Sequence, residues 1–126
     1  MKKYLVIGNP IDHSLSPVLH NYWIKKGNIN AVYDKKKLNK EDLGNIINQI
    51  KQNNIHGINI TVPFKKDIIE FIDQLSPEAA ATQSVNTVYL NEGQIIGHNT
   101  DIAGFELSLN KIKYDIKDKK IFILGA

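Results

Sequence analysis

The sequence predicts an α/β protein of three layers: an open, mixed, mainly parallel sheet with helices on both faces and one antiparallel hairpin strand. Two observations predict it. Short apolar runs that stop at glycine, asparagine or proline alternate with stretches whose apolar residues recur at helical spacing, the rhythm of a mainly parallel sheet covered by helices. Near residue 92 that rhythm gives way to two adjacent strand-like runs joined by Asn91-Glu92-Gly93, a hairpin that brings in an antiparallel strand. At 126 residues the chain has room for one ordinary domain with a real core.

Taken in order, Tyr4-Leu5-Val6-Ile7 is a buried strand ended by Gly8-Asn9-Pro10. Ser16-Pro17 supplies an N-cap and a first-turn proline for a helix with Leu19 and Trp23 on its apolar face, running to Gly27. Residues 31–34 form the second strand. Leu43, Ile46, Ile47 and Ile50 then repeat at helical spacing up to Asn53-Asn54. Gly57 to Val62 is the third strand, stopped by Pro63, and Phe64, Ile68, Ile72 and Leu75 mark a helix behind it. A short helical turn at Ser76-Pro77 precedes the hairpin, whose strands are Val85–Leu90 and Gln94–His98. Asp101 to Ile112 is the last helix, with Ile102, Phe105, Leu109 and Ile112 on one face. Ile121 to Leu124 begins a further buried strand, and Gly125-Ala126 after it is the way a dinucleotide-binding βαβ unit opens.

Composition narrows the partners. No apolar run approaches the roughly 18 residues of a membrane helix, and the basic start MKKYLVIGNP is too short in apolar residues for a signal sequence. With no cysteine there is no disulfide or thiolate site, which suits a cytoplasmic protein, and no metal site is expected. The net charge of +3 comes from lysine alone, for arginine is absent. A bound anion is therefore met by hydroxyls, backbone N–H groups or lysine. The run Lys35-Lys36-Lys37 and the 117–120 segment lack interleaved aromatics and are taken as solvated faces, so no nucleic acid is expected.

Two polar clusters stand at the ends of predicted elements, GINITVPFK at 57–65 and GHNTDIAG at 97–104. In an open α/β sheet, ligands gather outside the carboxyl ends of the strands, where such clusters converge. Ser14 and Ser16, two apart before a helix, are a natural hydroxyl pair for a carboxylate, although Ser16 is equally well explained as an N-cap. His13 beside them stays outside the catalytic set. Asn59 and Thr61 alternate along a strand and share a face, where they either satisfy local backbone or touch a ligand; Asn86 has the same two readings. Lys65 is one lysine among sixteen, and Asp101 suits a helix N-terminus.

Four segments, GNPIDHSLSPVLHN (8–21), GINITVPFK (57–65), SVNTV (84–88) and GHNTDIAG (97–104), together resemble the shikimate dehydrogenase family, in the family's order. One departure is Thr82-Gln83-Ser84, where the family more often has a glycine and an alanine before Val-Asn-Thr. The resemblance implies a substrate-binding catalytic domain over 1–112, with 113–126 a linker and the cut-off start of an NADP-binding Rossmann domain. It implies NADPH-dependent reduction of 3-dehydroshikimate to shikimate, with NADP(H) held mainly by an absent carboxy-terminal domain and only Gly125 and Ala126 of its motif present. By the same resemblance Lys65 and Asp101 are catalytic, and they bind substrate together with Ser14, Ser16, Asn59, Thr61 and Asn86. A homodimer of the full-length enzyme is a further expectation. The fragment alone is expected to be inactive. The alternatives are a quinate/shikimate dehydrogenase domain and a non-catalytic module that binds small carboxylates.

Overall fold

The computed structural model describes residues 1–125. Six strands, β1 (Lys2–Gly8), β2 (Ala31–Lys37), β3 (Gly57–Ile60), β4 (Gln74–Leu75), β5 (Thr87–Asn91) and β6 (Gln94–His98), form one sheet in the order β2-β1-β3-β5-β6-β4. Every pairing is parallel except those of β5, which runs against both β3 and β6. The helices are α1 (Ser16–Lys26), α2 (Leu43–Lys51), α3 (Pro77–Thr82) and α4 (Asp101–Lys111).

Period-two alternation divides the core between the two faces of the sheet. On one face, Ile7, Ile58, Ile60 and Val88 pack with Leu43, Ile46, Ile47 and Ile50 of α2 and with Phe64 and Ile68. On the other, Val6, Ile11 and Tyr33 form a smaller cluster with Tyr4 and Ile24 of α1. The expected layers are therefore present. Reversal of β5 brings its first residues to the same rim as the carboxyl ends of β3 and β6, since Asn59 pairs with Thr87 and Thr87 with His98.

The hairpin turn is the two-residue Glu92-Gly93 with φ of 49° and 79°, a geometry that matches strand twist and favours glycine. Several elements differ from expectation. Ser16 is the first residue of α1 and not its cap; Leu15 holds the cap position, and the Ser14 Oγ accepts from the Ser16 N–H at 3.3 Å. Leu19 and Trp23 are 48% and 52% exposed, because α1 docks instead through His20, Asn21 and Ile24. The Asn21 amide clamps the backbone of Tyr33, donating to its C=O at 2.7 Å and accepting from its N–H at 3.0 Å, while the His20 ring stacks on the Tyr33 ring at 4.1 Å.

Residues 64–75 do not form one helix. A 3-10 turn spans Asp67–Phe71, after which Gln74–Leu75 joins the sheet as an edge strand beside β6. Gly97 lets this happen: a Cβ there would stand 3.0 Å from Ile72 and 3.1 Å from Leu75, so the missing side chain is the space these residues fill. On α4, Ile102 and Leu109 are half-buried, yet Phe105 and Ile112 are 64% and 70% exposed. The strand expected at Ile121–Leu124 is absent; these residues are exposed and have no ladder partner among the described residues, and a strand without a neighbour leaves its backbone unpaired. No helix among the described residues is long and apolar enough to cross a membrane.

Candidate functional site

Three segments build one rim of the sheet. Beyond β1, the chain turns at Gly8, where a Cβ would stand 2.6 Å from the Thr61 methyl and 2.9 Å from the Val62 carbonyl. Only glycine permits this approach. The Asn9 N–H donates to the same carbonyl at 3.1 Å, and the Lys35 ammonium holds the loop by the Asp12 carbonyl. That contact gives Lys35 a specific role within a run the sequence marks only as solvated. The result is a cavity of about 260 Å³ lined by Ser14, Ser16 and Thr61 with His13, Val6, Pro10, Ile11 and Val62.

Beside it stands a charged group. Lys65 Nζ lies 2.6 Å from Asp101 Oδ2, and both side chains are partly exposed. Lys65 follows Thr61 by one short turn, in which the Phe64 N–H donates to the Thr61 carbonyl. Its own carbonyl accepts from the Val85 N–H at 2.8 Å, tying it to the residue before Asn86. Asp101 opens α4, where a carboxylate suits the helix N-terminus. Buried Asn99 sets that start by accepting from the Asp101 and Ile102 N–H groups at 2.9 and 3.3 Å, while its Nδ2 donates to the Ser84 carbonyl at 2.9 Å.

Asn86 joins the two. Its Oδ1 accepts from the Thr100 N–H at 3.0 Å, and that donor dictates how the amide is turned. Nδ2 consequently faces Asp101 Oδ1 at 3.0 Å and Thr100 Oγ1 at 2.8 Å. Behind Asn86 the Thr87 hydroxyl donates to the same Oδ1 at 3.0 Å and accepts from Asn59 Nδ2 at 3.0 Å. Asn59 Nδ2 also reaches the Asn86 carbonyl at 3.2 Å, and Asn59 Oδ1 accepts from the Tyr33 hydroxyl at 2.7 Å. Burial pushes the Tyr33 phenol up to about 12.

The seven predicted substrate-binding residues thus fall into two neighbouring groups. Ser14, Ser16 and Thr61 line the cavity, whereas Asn59, Asn86, Lys65 and Asp101 belong to one hydrogen-bonded chain. Asn59 has both amide hydrogens committed inside the protein. Sequence reasoning missed Tyr33 and Thr87, and took Asn99 and Thr100 only as members of a polar cluster; the last three sit inside the family-like motifs, and only their contacts distinguish them from ordinary turn residues. Gly125 is exposed with φ of 77° and has open space around it, and Ala126 lies outside the described residues. Among the described residues no cluster of His, Cys, Asp or Glu is arranged to hold a metal.

Residues 6–88 match the sequence profile of a family described as the shikimate dehydrogenase substrate binding domain. The chain belongs to that family. Shikimate dehydrogenase (NADP(+)) of Pelagibacter ubique is 59% identical over 125 residues, covering 99% of this chain and 47% of that protein. The shikimate dehydrogenase (NADP(+)) of Pyrococcus furiosus is 43% identical, covering 99% of this chain and 45% of its own length. The chain spans about half the length of the curated relatives it matches. Among solved structures, shikimate 5-dehydrogenase of Thermus thermophilus in complex with shikimate superposes with a TM-score of 0.86 at 32% identity, covering 93% of this chain and 45% of that one. The mixed sheet with its reversed β5 is the substrate-binding domain fold of this family.

Proposed function

We propose that this chain is the substrate-binding and catalytic domain, residues 1–112, of an NADP-dependent shikimate dehydrogenase that reduces 3-dehydroshikimate to shikimate in cytoplasmic aromatic amino acid biosynthesis. The observation that carries it is the Lys65–Asp101 pair, oriented by Asn86 and one short turn from Thr61, which with Ser14 and Ser16 lines a cavity. Residues 113–126 link to a carboxy-terminal domain that holds most of the NADP(H). Among the described residues no dinucleotide site is formed, since 121–124 make no strand and a Cβ at Gly125 would stand in open space.

Reduction of a ketone turns its oxygen into an alkoxide, which needs a nearby cation and a proton as the charge develops. Lys65 supplies both. Its ammonium is a three-fold donor, so one hydrogen can bond Asp101 while another faces the substrate oxygen. Both carboxylate oxygens of Asp101 are already accepting, from Asn86 and from Lys65, which leaves the ammonium as the proton source. Ser14 and Ser16, at the α1 N-terminus, receive the substrate carboxylate without arginine. Thr61 meets a ring hydroxyl, while Asn86, whose amide is fully committed to Thr87, Thr100 and Asp101, holds the Asp101 carboxylate in place.

An NMR titration of the chain with shikimate, with quinate as competitor, tests this. Shifts are expected at Ser14, Ser16, Thr61, Lys65, Asn86 and Asp101; shifts confined to Lys35–Lys37 would overturn the site.

A further inference from the structure

We propose that Thr87 is a positioning residue for the Lys65–Asp101 pair, acting through Asn86. This inference rests on the function proposed for the pair and adds a residue to it. The chain of contacts runs Tyr33 hydroxyl to Asn59, Asn59 to Thr87, Thr87 to Asn86, and Asn86 to Asp101, each link between 2.7 and 3.0 Å. Directions along it are forced. A flipped Asn86 would aim Nδ2 at the Thr100 N–H and Oδ1 at the Asp101 carboxylate, donor on donor and acceptor on acceptor. A flipped Asn59 would aim its oxygen at the Asn86 carbonyl.

With Asn59 Nδ2 donating to it, the Thr87 oxygen has its single hydrogen free for Asn86 Oδ1. The hydroxyl is the only group in this chain of contacts that must both accept and donate through one atom. It therefore transmits the fixed orientation of Asn59, anchored by Tyr33 under α1, to the amide that holds the carboxylate. Among the described residues Thr87 makes no hydrogen bond to Lys65 or Asp101, and its link to the pair runs through Asn86. Register supports the assignment, because Thr87 pairs directly with Asn59 across β3 and β5, and no other residue type of this size both fits the strand and carries a hydroxyl on a β-branched carbon.

The test compares the chain with Thr87→Val, which keeps the shape and loses the hydroxyl, and Thr87→Ser, which keeps the hydroxyl and loses a methyl. Two readouts are taken: the side-chain amide signals of Asn86 by NMR, and the dissociation constant for shikimate. Thr87→Val, which removes both hydrogen bonds of the hydroxyl, from Asn59 and to Asn86, is expected to shift the Asn86 amide signals and weaken shikimate about tenfold, while Thr87→Ser stays within about twofold of the parent. Equal binding and unshifted Asn86 signals in Thr87→Val overturn the proposal, and so does a Thr87→Ser variant as impaired as Thr87→Val. Should Thr87→Val fail to fold, Thr87→Ala replaces it with the same expected contrast to serine. If the parent chain binds no shikimate, the functional reading fails separately; the Asn86 signals of the two variants still decide the role of Thr87.

Discussion

An exposed lysine–aspartate pair contributes at most about 1 kcal/mol to folding, so the importance of Lys65 and Asp101 must be sought in chemistry. In the full-length enzyme, Lys65→Ala is expected to lower kcat about a hundredfold or more with little change in KM, because the ammonium meets charge that exists only in the transition state. Asp101→Asn should be milder, and the double variant should lose far less than the product of the single losses, since the pair acts as a unit. Steady-state kinetics of the four proteins decides it; multiplicative losses would mean two independent residues. Tyr33 makes a separate prediction about pH. Its phenol is raised from 10.0 to about 12, so between those values the folded state keeps a proton that the unfolded state has released. The stability this represents is complete below about pH 10 and is lost as pH rises toward 12. Urea melts across that window should show wild type losing about 2 to 3 kcal/mol more than Tyr33→Phe. Residue types were legible in the sequence, but their partners were not: the pattern puts Asn59 on one strand face with Thr61, while its commitment to Tyr33 and Thr87 depends on residues far apart in the chain.

At the scale of elements, α2 was fully legible because its four apolar positions all meet the core and all are buried. Residues 64–75 carry an equally good helical period, and there packing overrode it, since Ile72 and Leu75 fill the space left by Gly97 and the chain joins the sheet. Leu19 and Trp23 misled for a related reason: α1 lies over the edge strand β2, and its docking depends on a polar clamp that hydrophobic periodicity does not reveal. The α3 terminus shows a cost left in place. Gln83 adopts φ of 50° and ψ of 40°, a left-handed conformation that strains any residue with a Cβ. Gln83→Gly is expected to raise stability by about 0.5 to 1 kcal/mol in chemical denaturation, in keeping with the glycine more common in the family at this turn. Asn99→Ala should do the reverse, losing about 1 to 2 kcal/mol as α4 forfeits two capped N–H groups and the Ser84 carbonyl its donor.

For the whole molecule, the mixed sheet and its layers followed from the alternation of patterns, because that alternation is set by burial on two faces and needs no knowledge of partners. The final apolar run did not follow, as a strand exists only beside another. The chain on its own is expected to show no NADPH-dependent reduction of 3-dehydroshikimate, although it should bind shikimate; measurable turnover by the purified chain would overturn the division at residue 112. The reversed strand β5 has one further consequence, for engineering. Because the β5–β6 hairpin has its turn at Glu92-Gly93 and its open ends at Thr87 and His98, the turn stands about five residues, or roughly 17 Å, from the rim that carries the site. A Cβ at Gly93 would meet nothing within 4 Å. Epitope tags, fluorophores or a whole inserted domain can therefore be grafted at this tip, giving a reporter attached directly to the strand that carries Thr87 while leaving the ligand's surroundings untouched.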